Sequence, residues 1–118
     1  MNIIDANRPH IEAALEYSGG THEFEDVKQA ILEGRMQLWP APNSCAVTEI
    51  AEYARKKVIN VFLAAGEMDE VLAGFDSVAE WARRQGCHSM TISGRKGWTR
   101  VLDKSGFKPL FVVMEKEL

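Results

Sequence analysis

A chain of 118 residues suits one domain and is too short for two ordinary ones. With 46 % hydrophobic and 26 % charged residues, it excludes a disordered polar tract, and it has no stretch approaching the ~18 apolar residues of a membrane span. The net charge of -3 hides an asymmetry: residues 1–82 carry 6 basic and 14 acidic side chains, residues 83–118 carry 8 and 3. A late positive face can attract an anion or an acidic partner, although a solvated face is the commoner origin of such a bias.

The opening residues lack the basic segment and apolar run of a signal peptide. Residues 9–17 predict a short helix, with Pro9 in its first turn and Gly19-Gly20 beyond its end. A second helix is predicted over 23–32, with Thr21 as its cap, Phe24, Val27, Ala30 and Ile31 as its apolar stripe, and Gly34 as its stop. The period then shortens. Residues 36–39 and 45–51 predict strands, and the apolar run 58–64 reads as the centre of a sheet. Short links between these three predict an antiparallel meander.

Helical spacing returns over 68–84, although Gly74 leaves open a helix that begins only after it. Gly86 is a fitting C-cap, and 87–92 predicts a strand parallel to 58–64 through a right-handed crossover. A short helix over 98–104 and a final strand over 107–114 complete the order α-α-β-β-β-α-β-α-β, one mixed α/β domain over 1–118.

Ala82-Arg83-Arg84-Gln85-Gly86-Cys87 and the later Ser105-Gly106-Phe107, in this order of elements, resemble the GNAT (N-acetyltransferase-like) superfamily. The segment 94–102 is also similar to small GNAT-like proteins of tailed phages. The resemblance implies acyl-CoA as cofactor, its pyrophosphate held by an Arg/Gln-x-x-Gly-x-Gly/Ala turn at a helix N-terminus. That motif falls on Gly66 to Val71, where Asp69 and Val71 replace the small residues and Glu67, Asp69 and Glu70 add three carboxylates. The tyrosine that serves the family as general acid falls on Leu102. Its general base is a carboxylate on the central strands, for which Glu49 is the nearest match, with Glu52 behind it; both also suit solvated strand positions. Tyr53 supplies a phenol near a turn, where a surface role suits it better.

Two functional expectations follow. One is a catalytically silent GNAT-like module acting through protein contacts, with no cofactor, in the cytoplasm or, if phage-encoded, in host cytoplasm and virion. The other is a divergent N-acyltransferase using acetyl-CoA near Phe62, Leu63, Gly66 and Val71, with Glu49 or an ordered water as base. The missing glycines and tyrosine tilt the sequence reading toward the first.

The turn 93–98 is a further candidate. Arg95, Lys96, Trp98, Arg100 and Lys104 offer cations and one aromatic for an anion or an acidic partner, against the plainer reading of a tight turn with a core tryptophan. Protein partners or self-association are expected before nucleic acid. His10, His22 and His88 have no metal spacing, Cys45 and Cys87 read as buried thiols, and Cys87-His88 point to opposite faces of a strand.

Overall fold

The computed structural model describes residues 2–94 and 97–118, with Thr99 described by its backbone only. Three helices come first: α1 (Ile3–Ala6), α2 (Arg8–Leu15) and α3 (Phe24–Leu32). The first is too short to show periodicity and is held by its cap, the Asn2 side-chain oxygen accepting the Asp5 N–H at 2.8 Å. Helix α3 starts differently from expectation. Its first turn is tied by Asp26, whose carboxylate accepts the Glu23 N–H at 2.9 Å, while the Thr21 hydroxyl sits beside His22 Nδ1 at 2.7 Å. Lys28 on α3 pairs with Asp5 on α1 at 2.9 Å, and the Arg8 guanidinium lies 4.6 Å from the Phe24 ring centre.

The sheet has the order β1-β2-β3-β4, from β1 (Met36–Ala41), β2 (Ser44–Glu52), β3 (Lys57–Gly66) and β4 (Ser89–Ile92). The first three pair antiparallel and β3 pairs parallel to β4, as the meander and crossover predict. Strand β1 runs through Pro40, which an edge tolerates because one row of N–H groups has no partner there. The β2–β3 register shifts between Val47, opposite Leu63, and Thr48, opposite Val61. Phe62 is thus an extra residue on β3, which bends the strand near its middle.

Helices α1–α3 cover one face, burying Ile11, Phe24 and Val27 against Cys45, Val47 and Leu63. The other face packs Ala46, Ile59 and Val61 under α4 (Met68–Arg84) and α5 (Trp98–Asp103). Helix α4 is unbroken, with Gly74 inside it. It stops at Gly86, whose φ of 85° only glycine adopts readily, and Cys87 N–H returns to the Ala82 carbonyl at 2.9 Å.

The last predicted element does not form. Residues 107–118 belong to no helix or strand, and β4 begins at Ser89 rather than Cys87. Phe107 packs on Phe75, ring centres 5.8 Å apart, but the chain beyond lies open, from 68 % exposure at Leu110 to 88 % at Met114. The run has strand composition, but it is paired with none of the described strands.

Candidate active site where the central strands part

Strands β3 and β4 stay in register from Val58 opposite Ser89 to Val61 opposite Ile92, and Ser93 N–H closes the ladder on the Val61 carbonyl at 3.2 Å. Beyond that bond β3 runs on to Gly66 without β4 beside it. At the point of parting stands Asn60, the polar residue in the otherwise apolar run 58–64. Its Oδ1 accepts from the Thr91 hydroxyl at 3.0 Å and the Ser93 hydroxyl at 3.2 Å, and its Nδ2 faces Glu49 Oε1 at 3.5 Å. One amide therefore uses its acceptor on β4 and its donor on β2, setting a half-buried carboxylate in a polar row across three strands.

Glu49 was the catalytic expectation from the sequence; Asn60, Thr91 and Ser93 were missed. Asn60 carried a signal, being the polar interruption of the run 58–64. Glu52 and Tyr53 lie exposed at the far end of β2, where Tyr53 N–H bonds the Lys56 carbonyl at 2.8 Å.

The start of α4 is built around the β1–β2 turn. Gly66 has a φ of 106°, and a Cβ there would lie 2.3 Å from the Asn43 carbonyl oxygen and 2.5 Å from Ser44 Cα. Glycine is required by this close approach of two backbones. The Asn43 carbonyl accepts Glu67 N–H at 3.1 Å. The Glu70 carboxylate in turn accepts Asn43 N–H and the Ser44 hydroxyl, each at 2.9 Å, and the Asn43 side-chain amide at 3.2 Å. These bonds, the Asn43 N–H foremost, hold the Glu70 carboxyl below the usual carboxylate range.

Of the four residues expected at a cofactor, Leu63 and Val71 are buried core, and Gly66 fits the hairpin turn. Phe62 is half-buried, its ring edge-on to His22 at 4.8 Å. A groove of about 230 Å³ runs between β1 and α4, past Trp39, Ser44, Glu70, Gly74 and Phe75.

On the proposed anion surface, Trp98 packs inward with Ala64, Ile92 and Leu102, and Gly94 leaves room for its ring at 3.5 Å from where a Cβ would stand. The Trp98 side chain is half-buried. Arg100 and Lys104 are exposed; Arg95 and Lys96 lie outside the described residues. Leu102, at the family's tyrosine position, is buried.

Among the described residues, no three His, Cys, Asp or Glu side chains gather as metal ligands, and no helix is long and apolar enough to cross a membrane. Burial pushes the Cys45 thiol up to about 11; it also raises Cys87, against the opposing charge of Lys57.

No family model matches the chain. Solved structures do. Glucosamine-6-phosphate N-acetyltransferase from Arabidopsis thaliana is similar over 98 % of this chain and 94 % of its own, with a TM-score of 0.64 at 10 % identity. An acetyltransferase from Trypanosoma brucei is similar over 88 % and 89 %, with a TM-score of 0.60 at 15 % identity. A protein from Thermus thermophilus is similar over 82 % and 80 %, with a TM-score of 0.60 at 17 % identity. The fold is GNAT-like, and likeness at such identities concerns the fold alone.

Proposed function

We propose that this protein is a divergent N-acyltransferase acting on an amine, with its working centre at the Glu49–Asn60–Thr91 row. The observation that carries the reading is the position of that row: a carboxylate oriented by an amide sits where the two parallel strands part. Open α/β sheets favour ligand sites at such a divergence. The acetyltransferases of similar fold support the same direction.

The fit to acyl-CoA is uneven. The β3 backbone beyond Val61 has no β4 partner and offers amide groups to an extended, amide-bearing arm. The usual pyrophosphate seat does not fit: Glu67, Asp69 and Glu70 are acidic, and the Val71 N–H already bonds the Glu67 carbonyl at 3.1 Å. A bound acyl-CoA would supply an activated thioester. Glu49 would take the proton of an incoming ammonium group, leaving the nitrogen lone pair free to react. Asn60 would hold Glu49 in place, and the Thr91 and Ser93 hydroxyls would hold Asn60.

Titration of the chain with acetyl-CoA and with CoA by calorimetry tests this. Saturable micromolar binding at one site is expected, and its absence at millimolar ligand overturns the proposal. Glu49→Gln should leave that binding intact and lower turnover of an amine panel by about 10²–10⁴-fold.

A second reading draws on the acidic start of α4 and on Leu102: a silent module acting through protein contacts. With the likeness of segment 94–102 to small phage proteins, that role would lie in a virion or its assembly within host cytoplasm. One-site CoA binding would sink it.

A further inference from the structure

The two edges of the sheet are not alike. On β1, Pro40 removes a donor and Pro42 follows in the turn, so that edge is blunted against further pairing. The outer edge of β4, Ser89-Met90-Thr91-Ile92, contains neither a proline nor a charge. It is the last strand of the sheet, and all four of its residues are half-exposed. An unguarded edge of this kind is a template for another strand.

The chain also carries an unpaired strand. Leu110-Phe111-Val112-Val113-Met114 is a continuous apolar run rich in β-formers, as in strands covered on both faces. It has no cover of its own: exposure is 77 % at Phe111 and 82 % at Val113. Its root is fixed, because Phe107 packs on Phe75 and its N–H bonds the Leu102 carbonyl at 3.2 Å. Beyond Pro109 the segment is 68 % exposed at Leu110 and 88 % at Met114, and its extended reach of about 3.3 Å per residue is enough to lie along a neighbour.

From this complementarity we infer that the occupant of the β4 edge is residues 110–114 of a second copy of this chain. Each copy offers one free edge and one free strand, so two copies satisfy both by reciprocal exchange about a two-fold axis. The exchanged strand would lie beside Thr91, the residue that anchors Asn60, so the partner would border the polar row. The pairing itself does not depend on acyl transfer.

Light scattering of the full chain over a wide concentration range, combined with hydrogen exchange, tests the exchange. The expected result is a dimer whose amides in 110–114 and 89–92 are both protected. Val112→Pro removes one ladder donor and should weaken the dimer by about 100-fold, exposing both segments to exchange together. Near-UV circular dichroism reports whether the core of that variant is intact, and Val112→Lys gives a second disruption without proline. A monomer at every concentration overturns the proposal, whether its tail is protected on its own β4 edge or exchanges freely. A dimer that survives both variants and truncation after Phe107, with a fast-exchanging tail, overturns it as well.

Discussion

Up to Arg84 the chain builds a sheet covered on both faces; after Arg84 it adds structure that is half wet. Among the described residues, every buried side chain but Leu102 lies in the first part. The difference follows from layers. Residues of β2 and β3 have helices above and below, whereas β4 has a neighbour strand on one side only, and the tail has none. The first part therefore carries most of the stability, while the second has free backbone and apolar surface to spend on contacts.

Truncating side chains in the two parts should separate them most clearly. Ile59→Ala, in a fully buried position against Val78 and Ala82, should lower unfolding free energy by about 2–5 kcal/mol, read from the urea midpoint at constant slope. Ile92→Ala, on half-exposed β4, should cost less than half as much. Equal losses would break the comparison.

Gly66→Ala forces a Cβ into the β1–β2 turn at an unfavourable φ and should cost about 1–3 kcal/mol in the same assay. A neutral effect would mean that the turn and the start of α4 are not in contact.

Acid sensitivity should also localise to the first part. The folded Glu70 carboxyl sits below its ordinary value, so its contribution is present above the usual carboxylate range and is lost as pH falls through the folded pKa. The melting temperature should therefore fall as pH drops below about 4.3, and Glu70→Gln should flatten that fall. The smallest effect concerns the thiols. Buried Cys45 should resist a thiol reagent at pH 8, half-buried Cys87 should react faster, and both should react at equal rates in denaturant. Equal rates in the native protein would contradict the burial of Cys45.

What the sequence made legible follows the same division. The C-terminal end of helix α4 is legible because its helical spacing finishes at a glycine cap, whereas Gly74 leaves its start open in the sequence. Strand β3 was readable because an apolar run of that length needs cover on both faces. Helix α1 was not, since four residues show no period and its stability comes from one Asn2 side chain. The strand predicted over 107–114 does not form, for a different reason. Local composition at 110–114 states a preference for extended chain, but pairing depends on an edge elsewhere. In the candidate site, Glu49 is singled out by the resemblance, as the carboxylate nearest the central strands. The hydrogen bond that Asn60 accepts from Thr91 on β4 depends on cross-strand register, which no local pattern encodes.

The clasp of Glu70 and Gly66 on Asn43 has a practical consequence for handling this protein. Reporter groups and affinity tags are often inserted at hairpin tips because such tips are commonly spare. Here the tip serves as the bearing on which a seventeen-residue helix is seated. An insertion at Pro42-Asn43 would act as a lever on the helix axis, and with it on the layer that covers Ile59 and Val61. The exposed turn at Arg55-Lys56, on the opposite end of the hairpin pair, is the safer place to graft.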